Sequence, residues 1–440
     1  MKDTPESHVL FVTYHLPTDD EPGAVRPWVE ARLLRDAGYS VTVVTSAVHY
    51  MTGQFVGPGR GWCREEVRDG IRILRVWTIS DYRRSILRRM INYTFFALFA
   101  ALAVLLKVRK RVHCIFAATD PIFITPSLIL LSAIKRAPIV LDERDLFPDT
   151  AVALGVVREG WLTRLVFSMQ QFVRHRAASL VAATPGIRRR LVQYGHNPSR
   201  VHLMLNADPY MAGQPRLAEI EAIAQYRSQY RCLVGYAGTL GLADATGILI
   251  QAAAELKSRD DVGFLIVGGG ERVAEYINQA NELQTRHLKF LGTLPRATAR
   301  AILAVCDIGI QALSPDPYFG VTLTSKTFDY FSVGIPVVFA GEGDTADLLR
   351  ESGAGITVTP GNASEMAAAV TRLADDKALR DQMGLAGRNW HAKHITVSNY
   401  LRAIQAAIPL PASSTPMLRT SRKLRDETPA RSEMAFRVED

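Results

Sequence analysis

Residues 319–338 read FGVTLTSKTFDYFSVGIPVV, and several of their side chains can do chemistry together. Thr324 or Ser325 opens a short predicted helix, Gly334 stops it, and a buried strand starts at Pro336. A helix N-terminus presents unpaired N–H groups and the positive end of its dipole, so it is a ready anion site. Lys326 adds a full positive charge there. Asp329 lies one turn on, on the same face, and a carboxylate accepts two hydrogen bonds from a vicinal diol such as a ribose. Together Ser325, Lys326 and Asp329 can hold the diphosphate and ribose of a nucleotide sugar. The plainer reading of the same residues is a capped helix with a local Lys/Asp pair.

The elements that would position this stretch alternate along the whole chain. With 440 residues, 48% of them hydrophobic, there is material for two domains with proper cores. A strand is expected over 8–13, a helix from Val25 to a stop at Gly38, and a second strand over 41–45. This is a βαβ unit whose first loop, with Gly23, lies where open α/β sheets place ligands. Residues 51–70 read as an irregular excursion, followed by a strand over 71–77. Further strands are expected at 112–117, 138–141, 180–184 and 201–205. Residues 128–134 and 161–178 read as helices, the second with basic residues on its outer face. Asn206 to Asp208 mark the crossing to a second domain. That half repeats the alternation, with strands at 232–237, 262–267, 290–292 and 307–313 and a glycine-rich turn from Gly238. Gly268 to Gly270 do not make a dinucleotide fingerprint. Helices are expected over 365–373, 379–383 and 397–408. The tail, 411–440, has the composition of a disordered segment.

Two charged features stand out. Asp142, Glu143, Arg144 and Asp145 follow the strand at 138–141 at once, which suits the lining of a cleft or, more plainly, a solvated turn. Residues 91–106, INYTFFALFAALAVLL, are nearly all apolar and are bracketed by basic residues, among them Arg88, Arg89, Lys107, Lys110 and Arg111. As a helix these 16 residues reach roughly 24 Å, short of the roughly 30 Å hydrocarbon core, and charge on both flanks disfavours a simple crossing. The pattern predicts a helix over 86–108 that dips into an anionic membrane interface, with Phe95, Phe96 and Phe99 at its apolar start. A buried core helix with solvated ends is the alternative.

Composition excludes other classes. The charge of +9 favours an anionic partner. Four scattered cysteines suggest neither a zinc site nor a disulfide framework. There is no nucleic-acid module, P-loop or G-x-S-x-G elbow. The N-terminus is acidic with only a short apolar run, which predicts a cytoplasmic chain.

Five segments, EARLLRDAGYSVTVVT, RVWTISDYRRSILRRMINYTFFALF, LDERDLFPDTAVALGVV, GTLGLADATG and TSKTFDYFSVGIPVV, give the chain a resemblance to GT-B glycosyltransferases of family 4. It is similar in particular to bacterial enzymes of exopolysaccharide and O-antigen assembly, including the lipid-carrier N-acetylfucosaminyltransferase type. The resemblance spans roughly residues 8–408. It implies two Rossmann-like α/β domains facing across a cleft: an acceptor domain over 1–206, a nucleotide-sugar domain over 207–394, and a helix over 395–410 returning to the first. It implies transfer with retention from a nucleotide diphosphate sugar, UDP-linked, to a polyprenyl-diphosphate-linked glycan acceptor, with neither metal nor cofactor, at the inner face of the cell membrane. The sugar would be a hexose or an N-acetylated one. A soluble small-molecule acceptor, or a non-catalytic nucleotide-sugar binder, are the rivals.

By the same resemblance Lys326 meets the diphosphate and Asp329 the ribose, with Ser325 and Gly320 near the sugar and its phosphate. Gly23 and Gly238 would face the phosphates, and Gly268, Gly270 and Leu294 the base. Three positions depart from the family pattern. Val321 stands where an acid is common, residues 238–247 contain no basic residue, and Arg144-Asp145 replaces the usual His-Asp. Asp145 is therefore expected to contact acceptor or donor sugar, and Arg144 to stabilise developing negative charge or orient an acceptor phosphate. The diphosphate charge falls on Lys326 and backbone N–H groups.

Overall fold

A computed structural model describes residues 7–18, 25–49, 53–56, 61–80, 85–211 and 216–409. Gly23 and the tail expected to be disordered lie outside the described residues. The first sheet is formed by β1 (His8–Val12), β2 (Ser40–Ser46), β3 (Cys63–Arg68), β4 (Ile71–Val76), β5 (Val112–Ala118), β6 (Ile139–Glu143), β7 (Ser179–Ala182) and β8 (Val201–Leu203). Their order is β3-β4-β2-β1-β5-β6-β7-β8, and only β3 runs antiparallel to its neighbour. The second sheet is formed by β9 (Cys232–Ala237), β10 (Val262–Val267), β11 (Leu288–Gly292), β12 (Ile308–Ala312), β13 (Val337–Ala340) and β14 (Gly355–Val358). It is wholly parallel, in the order β11-β10-β9-β12-β13-β14.

Parallel strands covered by helices on both faces read as continuous apolar runs, and HVLFV in β1 and VGFLIV in β10 are buried at every position. Each sheet reverses its winding beside its first strand, between β1 and β5 in one half and between β9 and β12 in the other. Open α/β sheets hold ligands in the crevice beyond such points. The molecule is thus two Rossmann-like α/β units. The helix Val397–Ala407 packs on the first of them, where Tyr400 donates to the Leu205 carbonyl at 3.0 Å and Ser179 donates to the Ala407 carbonyl.

Three expectations need correction. The excursion over 51–70 contains an edge strand, β3. Its sequence CREEVR lacks an apolar alternation because it is held by cross-strand ion pairs, Arg72 to Glu65 at 2.6 Å and Arg75 to Glu66 at 2.8 Å. The apolar helix runs from Ile86 to Lys107, 22 residues or about 33 Å, so it is long enough by length and composition to cross a membrane. One side of it, however, is domain core: Phe96, Ala100, Ala103 and Val104 are buried there, and Asn92 donates to the Tyr14 hydroxyl. Phe96 packs edge-on against Tyr14, 5.0 Å between centroids, and is fully buried, so it is not a lipid contact. Phe95 and Phe99 are half-buried against Trp77 at 5.8 and 5.9 Å. A helix apolar all round gives no sign of which side faces in, and the aromatic side went inward. Its outward stripe is aliphatic: Leu87, Met90, Ile91, Leu98, Leu102, Leu105 and Leu106. Arg88, Arg89, Lys110 and Arg111 are exposed, and Lys107 is half-buried.

The third correction concerns the charged turn. Strand β6 extends through Asp142 and Glu143, and both are fully buried. Glu143 is held by two parallel hydrogen bonds from Arg174, each 2.9 Å, so one of the basic residues of the helix Trp161–Arg176 points into the domain. Its exposed side carries the expected basic residues Arg164 and Arg176, and with them Trp161, Leu162, Leu165, Met169 and Phe172. Only Arg144 and Asp145 of the four reach the cleft.

Candidate active site

A cavity of about 490 Å³ lies between the carboxyl ends of the two sheets. Loops after β1, β5 and β6 supply Thr13, His15, Asp120, Arg144 and Asp145, and the start of the helix Pro185–Gln193 adds Thr184 and Ile187. From the second half come Asp244, Arg296 and the run Val321 to Lys326.

Lys326 sits in the first turn of the helix Ser325–Val333, which ends at Gly334 in the left-handed region, φ 76°. The hydroxyl of Thr324 does not cap this helix; it donates to Gln311 Oε1 at 2.8 Å and lies 2.9 Å from Thr327 Oγ1. The N-terminal end of the helix is therefore left facing the cavity, as an anion site requires. Lys326 Nζ donates to Asp244 Oδ1 at 2.5 Å, across 82 positions of sequence. Gly238 makes room for it: a Cβ there would stand 2.0 Å from Lys326 Cε. Asp244 belongs to the glycine-rich turn in which no basic residue was found, so the turn contributes an acid that neutralises the lysine.

Asp329 does not line the cavity. It lies behind Lys326, where its Oδ1 accepts from Arg296 Nη2 at 3.0 Å. Arg296, at the start of the helix Arg296–Leu303, does line the cavity, and its Nε is buried with no hydrogen-bond partner among the described residues. The cavity wall thus carries a second cation beside Lys326, which local sequence did not suggest.

The predicted glycines have packing roles. A Cβ on Gly268 would fall 1.8 Å from the Gly238 carbonyl oxygen, and one on Gly270 would fall 2.3 Å from that of Leu240. These residues let the turns after β9 and β10 interlock, and they lie outside the cavity. Leu294 is half-buried against the core, also outside the cavity. Gly320 abuts Gly343, where an added Cβ would stand 1.9 Å from the Gly320 oxygen.

On the facing wall, Arg144 belongs to a closed quartet. Its Nε donates to Asp142 Oδ2 at 2.5 Å and its Nη2 to Glu30 Oε2 at 2.9 Å. Arg26 closes the ring, 2.6 Å from Asp142 Oδ1 and 2.9 Å from Glu30 Oε1. Burial pushes Asp142 up, but the charges of Arg26 and Arg144 more than offset this and leave it below the usual carboxylate range. Glu30 is raised, by burial first and then by Asp142. Arg144 is thus tied to both buried acids of the ring, beside the loop that carries Asp145. Asp145 opens to the water of the cleft yet is ringed by protein; this crowding and the charge of Asp120, against the pull of Arg144, raise its carboxyl to about 6. Asp120 is raised too, by its surroundings. A carboxyl titrating near 6 can accept a proton from a hydroxyl or hold it as a hydrogen-bond acceptor.

Val321 fills the place of the missing acid by joining the two halves. Thr184 Oγ1 donates to the Val321 carbonyl at 2.6 Å, and a Cβ on Gly186 would fall 2.6 Å from Val321 Cα. Tyr318 reaches the same wall, accepting from the Leu146 amide at 3.0 Å and pairing with Thr150. Asp344 accepts from the Gly186 amide at 2.5 Å and from Arg189. Sequence reasoning missed Glu30, Arg26, Asp120, Asp244 and Arg296; Arg26 and Glu30 do stand four apart on one helix, a local signal, whereas Asp244 and Arg296 meet their partners only across long stretches of chain.

Comparison with known proteins agrees with this architecture. Residues 24–207 match the glycosyl transferase 4-like domain model, and residues 231–376 match the glycosyl transferases group 1 model. The probable glycosyltransferase WbjE of Pseudomonas aeruginosa is 22% identical over 315 residues, 70% of this chain and 77% of that protein. The 2-deoxystreptamine glucosyltransferase of Streptomyces kanamyceticus is 26% identical over 182 residues, 39% of this chain and 46% of that one. The crystal structure of Anabaena Alr3699/HepE in complex with UDP and glucose superposes with a TM-score of 0.65 at 16% identity, over 91% of this chain and 98% of that one. The chain therefore carries a glycosyl transferase 4-like domain followed by a glycosyl transferases group 1 domain, together making the GT-B glycosyltransferase fold.

Proposed function

We propose that the protein is a retaining glycosyltransferase that moves a hexose or N-acetylated hexose from a UDP-linked donor to a polyprenyl-diphosphate-linked glycan during cell-surface polysaccharide synthesis, including assembly of the O-antigen or exopolysaccharide type. The observation that carries the donor half is Lys326 at the open end of its helix, on the wall of a cavity between two Rossmann-like units. A diphosphate entering there would exchange Asp244 for itself as the partner of Lys326, and Arg296 would meet the ligand from the same wall. UDP bound to the similarly folded HepE supports the choice of nucleotide. Chemistry in such a site is mainly positioning and stabilisation of the departing diphosphate, which suits a cavity whose donor wall carries Lys326 and Arg296 and whose facing wall carries the raised carboxyl of Asp145.

The acceptor half is carried by the apolar helix Ile86–Lys107, whose aliphatic stripe is flanked by exposed Arg88, Arg89, Lys110 and Arg111. It supports a seat for the protein on the inner face of the membrane. The relative that acts on 2-deoxystreptamine favours a second reading, a soluble acceptor. UDP release from UDP-sugars, measured with a polyprenyl-diphosphate-linked glycan and with soluble aminocyclitols, separates the two. Turnover with the lipid-linked acceptor alone is expected, abolished by Lys326→Ala; turnover with only the soluble acceptor would defeat the lipid reading, and none with either would defeat the enzyme reading.

A further inference from the structure

All the large apolar side chains exposed among the described residues, save Trp62, Val67, Leu242, Ile277 and Leu385, lie on one run of elements in the first half. These are the helices Ile86–Lys107, Thr125–Lys135 and Trp161–Arg176, with Val156 just ahead of the third. The three helices are consecutive neighbours: Ser127 Oγ donates to the Ala97 carbonyl at 3.2 Å, Lys135 Nζ donates to that of Val108 at 2.7 Å, and the second helix packs against the third. Topology explains the row. The sheet winds from β1 towards β2 one way and from β5 through β6 to β7 the other, so right-handed crossovers put the helices after β5 and β6 on the face opposite the helix after β1. The apolar stripe therefore follows three neighbouring helices on one face of the sheet.

The third helix is the most exposed part. Trp161 is 77% exposed, and Leu162, Leu165, Met169 and Phe172 follow at helical spacing on the same side. The Arg176 guanidinium covers the Phe172 ring at 4.6 Å. Monomeric soluble proteins rarely leave so much apolar surface together without a partner. Charge says what the partner is. No acidic residue occurs from Ile86 to Arg111 or from Ile122 to Ala137, and Glu159 is the only one from Arg158 to Arg176. Exposed Arg136, Arg158, Arg164 and Arg176 continue the basic rim begun by Arg88 and Arg89. An apolar layer with an exposed tryptophan and a cationic border matches an anionic lipid surface.

We infer that this entire layer, with the helix Trp161–Arg176 as a principal part, seats on an anionic lipid bilayer and brings the cavity mouth to its surface. The connection is short: Leu154 lines the cavity and Val156, two residues on, belongs to the exposed apolar run. A lipid-linked acceptor could then present its glycan to Asp145 while its chain stays in the bilayer. The inference extends, and rests on, the membrane reading made above from one helix.

Flotation of the full chain with phosphatidylglycerol/phosphatidylcholine vesicles and with phosphatidylcholine vesicles tests it. Two variants are compared with the wild type: Trp161→Glu with Phe172→Glu, and Leu98→Glu with Leu105→Glu. UDP-induced thermal shifts verify that each remains folded. Wild type is expected to float with the anionic vesicles only, and each variant to lose about tenfold or more in partitioning, because two apolar anchors are replaced by charges repelled from the same surface. Loss in the Leu98/Leu105 variant alone would overturn the layer and leave the single-helix reading standing. Failure of the wild type to float would overturn both. Equal flotation with the neutral vesicles would overturn the anionic partner. A wild-type dimer dispersed by the Trp161/Phe172 pair, with flotation unchanged, would assign the third helix to a second copy and overturn the inference.

Discussion

The two walls of the cavity handle charge in opposite ways. On the second half, Lys326 and Asp244 form a single pair, both partly open to the cavity, with Arg296 and Asp329 beside them. On the first half, Arg26, Glu30, Asp142 and Arg144 form a closed ring in which both acids are fully buried. An open pair can exchange its carboxylate for a phosphate with little loss, since both offer anionic oxygens to the same ammonium group. A buried ring cannot, because removing one member strands the others away from water. On the proposed function, the lysine pair is the place for a ligand, and the arginine ring is the scaffold beside Asp145.

That contrast can be broken by mutation, most severely at the ring. Asp142→Ala leaves two guanidinium groups short of a partner and is expected to destabilise the fold by about 3–5 kcal/mol in denaturant titration. Unfolding at the wild-type midpoint would show that the ring is no scaffold. The sign with pH follows from Asp142: its carboxyl is held low in the folded state, so its contribution is complete above the ordinary aspartate value of about 3.9 and lost as pH falls below it.

Lys326→Ala should do the reverse, leaving the unfolding midpoint nearly in place while lowering kcat/KM for the donor roughly 100- to 1000-fold, the usual scale for a preorganised group facing developing charge. A large stability loss with normal turnover would merge the two walls into one category. For Asp145, raised to about 6, the carboxylate predominates above that pH. Acceptor kcat/KM is expected to climb through about 6 in the wild type, and Asp145→Asn should flatten that limb; identical profiles would remove Asp145 from acceptor contact. The smallest effect is expected at Asp244. Substituting Asn removes the anion that competes with the diphosphate, and UDP should bind about 5-fold more tightly by calorimetry, the worth of a partly exposed ion pair. Weaker binding would mean that Asp244 positions Lys326 instead of competing with its ligand.

Much of this molecule was legible in the order of its residues. Buried parallel strands announce themselves as apolar runs, and Ser325 and Gly334 mark a helix start and stop, so local pattern was enough to find the helix whose first turn lines the cavity. The alternation of strands and helices likewise determined two α/β units. Other features rest on contacts between distant segments, which local pattern does not contain. The charges of β6 read as cleft lining or a solvated turn, not as buried, because only Arg26, Glu30 and Arg174, from helices distant in sequence, make their burial tolerable. The apolar helix could not declare its inner side from composition, since the choice was made by Tyr14 and Trp77, just past the ends of β1 and β4. Lys326 was visible by itself, but its partner across 82 residues and the cation at Arg296 were decided when the second sheet brought its loops together at the cavity. Short-range periodicity sets which elements form; pairing of charges between distant segments depends on where the finished elements stand.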